Sequence, residues 1–134
     1  MSSEIYKEII LDHYRNPRNF GDLEDPDIEH KDYNPLCGDE LRFQIKLDED
    51  QRVSEVRFTG QGCAISQASA SMLTERIQDM TLDEIRALEK KDILDMLGIN
   101  VSPTRLTCAL LPLKVVKLGV YEYLGAHNKD PGKD

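Results

Sequence analysis

The chain has 134 residues, 40% of them apolar, and a formal net charge of −8. That size and apolar content predict a single domain over 1–134 with a core of its own. The acidic balance argues against a nucleic acid or an anionic membrane as the main partner, because both demand a basic patch. No apolar run approaches the length of a membrane span, and Met1-Ser2-Ser3-Glu4 lacks the basic and apolar regions of a signal peptide, so the expected location is the cytoplasm. Three cysteines cannot pair fully within one chain; in a reducing compartment they are expected as thiols or metal ligands, with no disulfide.

Ile5, Tyr6, Ile9, Ile10, His13 and Tyr14 recur at three- and four-residue spacing and predict an amphipathic helix from about residue 3 to 14, ended by Asn16-Pro17. From Gly21 to Asp32 the chain is acidic and interrupted by Pro26, which reads as an exposed connection with a short strand near Ile28 to Tyr33. Leu41-Arg42-Phe43-Gln44-Ile45-Lys46-Leu47 alternates apolar and polar residues throughout and marks a strand with one buried face. Asp48 to Gln51 form a polar turn, and Val56 and Phe58 resume the alternation, with Val53 out of phase as at a bulge. Gly60 and Gly62 close that strand.

Ala68, Ala70, Met72, Leu73 and Ile77 predict a helix over about 66–80 whose first turns are small enough to lie close to a sheet. Thr81-Leu82-Asp83-Glu84 is a capping box for a short helix, Asp92 to Leu97 form a further turn or two, and Gly98 stops them. The charge runs Asp22 to Asp27 and Glu89 to Asp92 read as solvated faces. Ser102-Pro103 opens the last helix, which Gly125 is expected to end; Pro112 inside it predicts a kink beside Cys108. Residues from about 126 to 134 read as a flexible tail.

The chemistry lies in Cys37, Cys63 and Cys108 together with Asp39. Soft thiolates select zinc or iron–sulfur chemistry, and one hard carboxylate among them makes a site less tightly held than four cysteines would. Gly38 gives the backbone freedom to aim Cys37 and Asp39 at one point. Cys63 precedes a helix, where unpaired amides and the helix dipole favour an anion. Arg105 lies three residues before Cys108 on one helical face and supplies a counter-charge. Each cysteine taken singly is as compatible with turn geometry or core packing; the four residues together are not. His13 and His30 have no partner at ligand spacing and read as structural or surface residues.

Asp12-His13-Tyr14-Arg15-Asn16-Pro17-Arg18-Asn19, Asn34-Pro35-Leu36-Cys37-Gly38-Asp39, Gly60-Gln61-Gly62-Cys63-Ala64-Ile65-Ser66 and Ala68-Ser69-Ala70-Ser71-Met72 stand in the order of known family signatures. From about Ile5 to Leu124 the chain resembles the IscU/SufU/NifU-type iron–sulfur cluster assembly proteins. The resemblance implies an α+β fold, a three-stranded antiparallel sheet with helices packed on one face. It implies one metal or cluster site at Cys37, Asp39, Cys63 and Cys108, and sulfur supplied by a cysteine desulfurase. IscU-type members carry a histidine before the last cysteine and a Leu-Pro-Pro-Val-Lys stretch upstream; here those places hold Thr107 and Val101-Ser102-Pro103-Thr104-Arg105. Arg105-Leu106-Thr107-Cys108 looks more like the SufU branch, whose members bind zinc and accept sulfur, although the usual SufU insertion is missing.

Three readings follow. The first is a scaffold that accepts sulfur on Cys108 or Cys37 and holds a labile [2Fe-2S] cluster, passing it to recipient apo-proteins or cluster carriers, as a monomer or weak homo-oligomer and without being an enzyme. The second is a zinc-dependent sulfurtransferase using the same residues. The third is a structural zinc module with an interaction role.

Overall fold

The computed structural model describes residues 3–35 and 38–127. Its elements are α1 (Ser3–Arg15), β1 (Ile28–Asn34), β2 (Asp39–Leu47), β3 (Val53–Gln61), α2 (Ala64–Arg76), α3 (Leu82–Arg86), α4 (Lys90–Leu97) and α5 (Pro103–His127). The three strands form one antiparallel sheet in the order β1-β2-β3, so the strand with the cleanest alternation is the central one. Leu41, Phe43 and Ile45 turn inward and are fully buried, stacked beside Val56 and Phe58 of β3. α2 and α5 cover this face, and α1, α3 and α4 pack on those two helices. Burying each of these large apolar side chains contributes about 1.5–3 kcal/mol, which places most of the fold's stability between the sheet and α2/α5.

The bulge expected at Val53 is present: the register slips between Lys46 and Leu47, and Val53 is buried while Ser54 and Glu55 both face water. The polar face of β2 is not bare. The acidic connection folds across it, Asp22 and Glu29 binding Arg42, Leu23 N–H donating to Gln44 Oε1 at 2.9 Å, and Lys46 Nζ donating to the Asp25 carbonyl at 3.0 Å.

α2 is dense with small buried residues, Ser66, Ala68, Ser69, Ala70 and Ser71, which lets neighbouring helices approach closely. It ends at Arg76, short of the expected Met80, because Asp79 takes φ 68° and the Met80 carbonyl turns to accept from Val53 N–H at 2.9 Å. The Thr81/Glu84 capping box forms as expected. Glu89 to Asp92 is more than a solvated run: it starts α4 with a second capping box, Glu89 N–H donating to Asp92 Oδ2 at 2.7 Å. Gly98 ends α4 at φ 70°.

Two further expectations change. α1 buries Ile10 and His13 but leaves Ile5, Ile9, Leu11 and Tyr14 at least a third exposed, because it rests mainly on one neighbour, α2. α5 passes Gly125 and reaches His127, since Gly125 does not take the positive φ of a helix stop; residues 128–134 lie outside the described part. α5 also crosses Pro112 as one assigned helix. Pro112 removes the donor to the Cys108 carbonyl, and the next carbonyl, Ala109, accepts from Ser69 Oγ of α2 at 2.9 Å.

Candidate metal centre

Three remote positions converge where the start of β2, the start of α2 and the second turn of α5 meet. Asp39 is the first residue of β2, Cys63 the N-cap of α2, and Cys108 faces them from α5. One carboxylate oxygen and the two sulfurs lie within 4.8 Å of one another. Asp39 and Cys108 are fully buried and Cys63 is half-buried. Cys37 lies outside the described residues.

The close approach of the end of β3 to the start of β2 explains the Gly60-Gln61-Gly62 sequence. Gly60 pairs with Leu41 and holds φ 147°; a Cβ there would overlap the Glu40 carbonyl oxygen. At Gly62 a Cβ would overlap Asp39 Oδ1 and lie 2.7 Å from Ser66 Oγ. The missing side chains therefore let Cys63 reach Asp39. Asp39 Oδ1 accepts from the Cys63 backbone N–H at 2.9 Å, taking up one of the free amides at the helix start. Its other oxygen, Oδ2, is 3.9 Å from Cys63 Sγ. Ser66 Oγ donates back to the Cys63 carbonyl at 3.1 Å and completes the turn.

Arg105 was expected beside Cys108. It sits foremost beside Cys63 and then Cys108, and the negative charge and hydrogen bonding of these two sulfurs raise the guanidinium pKa above its ordinary value. It is exposed, so it forms the outer rim of the site.

Sequence reasoning missed the clasp on the other side. Asn34 ends β1 opposite Asp39, and its Nδ2 donates to Thr107 Oγ1 at 3.0 Å, tying the strand to α5 one residue before Cys108. The Gly38 N–H donates to the Asn34 carbonyl at 2.8 Å, with Gly38 at φ 72°. Asn34 is thereby bonded both to Gly38 and to Thr107. No spacing rule points to Thr107, because the contact spans 73 residues of sequence. His13 and His30 do not join the site: His13 Nδ1 bonds Ser71 Oγ at 2.7 Å, and His30 Nδ1 bonds Glu122 Oε1 at 2.9 Å.

Two thiols and a carboxylate at this spacing suit one cation, because zinc–sulfur bonds of about 2.3 Å require ligands to approach within a few ångströms of each other. Asp39 is fully buried with no side-chain cation bonded to it among the described residues, which is costly, and a bound cation would offset that cost. No described helix is long and apolar enough to cross a membrane.

The chain is similar to the zinc-dependent sulfurtransferase SufU of Bacillus subtilis strain 168, 35% identical over 140 residues, covering 92% of this chain and 94% of that protein. It is also 33% identical to the iron–sulfur cluster assembly scaffold protein IscU of Escherichia coli strain K12, over 88% of this chain and 93% of that one. The Bacillus alignment is longer than the chain itself, so it opens gaps here, in keeping with an insertion missing from this sequence. Among solved structures, one described as a cluster assembly scaffold for the SUF system of Fervidobacterium islandicum AW-1 superposes with a TM-score of 0.75 at 27% identity, over 90% of this chain and 99% of that one. The NifU-like protein (N-terminal) from Brucella abortus shares the fold at TM-score 0.74 and 22% identity, over 92% and 96% of the two chains. The NifU-like N-terminal domain profile matches residues 5–130, and the chain belongs to that family.

Proposed function

We propose that this protein is an iron–sulfur cluster assembly scaffold that takes sulfur from a cysteine desulfurase and holds a labile metal or cluster on Asp39, Cys63, Cys108 and Cys37. The observation that carries this is the convergence of Asp39, Cys63 and Cys108 within 4.8 Å. Cys37 is the fourth ligand of the proposal, being two residues from Asp39 in sequence, with Asn34 and Gly38 on either side of it bonded together. In the sulfur-transfer step a thiolate of this chain attacks the outer sulfur of the donor's persulfide. A new sulfur–sulfur bond forms, the old one breaks, and the donor cysteine leaves as a thiolate. Full burial of Cys108 favours Cys37 as the receiving thiol. The proposed setting is the cytoplasm, where thiols stay reduced, and the proposed recipients are apo-proteins or cluster carriers.

A second reading is a zinc-dependent sulfurtransferase on the same residues, favoured by the likeness to the Bacillus protein of that name and by Arg105 beside both thiols. Anaerobic purification, metal analysis and a visible spectrum after incubation with iron, desulfurase and cysteine separate the two. The scaffold reading expects a coloured species that is lost when Cys63 or Cys108 is replaced. A colourless protein that keeps one zinc and only stimulates the desulfurase establishes the second reading instead. Uptake of neither metal nor cluster overturns both.

A further inference from the structure

One buried polar atom lacks a partner among the described residues: Nε2 of Gln67. Gln67 is only 7% exposed, so this amide has given up water without gaining an acceptor, and an unmet donor of that kind carries its whole desolvation cost. Its position is informative. The Gln67 backbone N–H donates to the Cys63 carbonyl at 3.1 Å, which puts Gln67 one helical turn beyond the candidate ligand. Side chains on a helix lean toward its N-terminus, and Cys63 stands four residues before Gln67, so the amide can reach the turn that begins with Cys63. The polar side chains next along this part of α2 are accounted for: Ser66 bonds the Cys63 carbonyl, Ser69 bonds Ala109, Ser71 bonds His13, and Thr74 bonds Asn19 and the Ser71 carbonyl. Gln67 alone among them leaves a buried donor unused.

We propose that Gln67 is a positioning residue of the metal site, whose amide N–H donates to the negative charge gathered on the Cys63 side when the site is filled. This rests on the site of the proposed function. Two thiolates and a carboxylate bring more negative charge than a divalent cation neutralises, and a neutral buried donor offsets part of the excess without adding a ligand. Arg105 does the same from the exposed rim, so Gln67 and Arg105 bracket the thiols from inside and outside.

The test is zinc affinity, measured anaerobically by competition with a chromophoric chelator, alongside thermal unfolding of the metal-free proteins. Gln67→Met keeps the length and removes the donor. It is expected to weaken zinc binding about five-fold, the effect of one ordinary hydrogen bond, while the metal-free protein unfolds at the same or a higher temperature because an unmet donor is gone. Gln67→Glu, which places a further negative charge there, is expected to weaken binding more than Gln67→Met. Equal zinc affinity of Gln67→Met and wild type overturns the inference and leaves the metal site standing. A metal-free Gln67→Met that unfolds earlier assigns Gln67 to packing and also overturns it. Wild type that takes up no zinc also overturns the inference, and the proposed site itself falls with it when no cluster is taken up either.

Discussion

Asp39 has two tasks at one carboxylate: Oδ1 holds the Cys63 amide, and Oδ2 faces the Cys63 sulfur. Asp39→Ala is therefore expected to act in two directions. A bound cluster is lost more slowly to a chelator, because the hard, weakly matched oxygen is gone from the soft set; the metal-free protein loses about 1–3 kcal/mol in urea unfolding, because a buried N–H loses its acceptor. Faster cluster loss counts against the labilising role of Asp39. His13 gives a pH prediction. It is buried, accepts or donates at Ser71 Oγ, and is faced by Arg18, Glu75 and Asp12; burial first and then Arg18 lower its pKa below 6.5, against opposing pulls from Glu75 and Asp12. The unfolded chain then binds a proton more readily than the folded one just below pH 6.5. The stability that neutral His13 contributes is complete above that pH and is lost as pH falls toward the folded value. Unfolding free energy measured from pH 7.5 to 5 should decline, and His13→Gln should decline less steeply.

Local signals acted most directly at the level of elements. The alternation in 41–47 marked the central strand, the out-of-phase Val53 marked the bulge, and Thr81-Glu84 marked a helix start, since each depends on neighbours within a few residues. Thr81→Ala removes the acceptor for Glu84 N–H at 3.1 Å and is expected to cost about 1 kcal/mol, read as a lower urea midpoint with unchanged metal content. Ends of elements were harder. α2 stops at Arg76 because a backbone bond to β3 captures Met80, and α5 continues past Gly125 because nothing demands a left-handed residue there. The apolar positions of α1 were legible, but which of them is buried depends on α1 having little beneath it except α2.

For the whole molecule, the core cluster between the sheet and α2/α5 is built from apolar side chains and includes none of Asp39, Cys63 and Cys108, the candidate ligands among the described residues, so the domain is expected to fold without metal. Chelator-treated protein should keep its far-ultraviolet circular dichroism and unfold in one cooperative transition. Collapse to an unfolded chain on chelation would instead establish the structural zinc module. Much of this was legible beforehand. The convergence of Asp39, Cys63 and Cys108, the sheet and the family were readable because thiols are rare, alternation is local, and signature motifs keep their order along the chain. Tertiary structure alone decided the rest. It set Arg105 against Cys63 as well as Cys108, joined Asn34 to Thr107, used Gly60 and Gly62 to bring the end of β3 close to the start of β2, and left Gln67 Nε2 buried without a partner among the described residues. The physical reason is range: a residue type and its spacing report contacts within a strand or a helical turn, whereas these contacts join segments that meet only after the sheet has paired and the helices have closed over it.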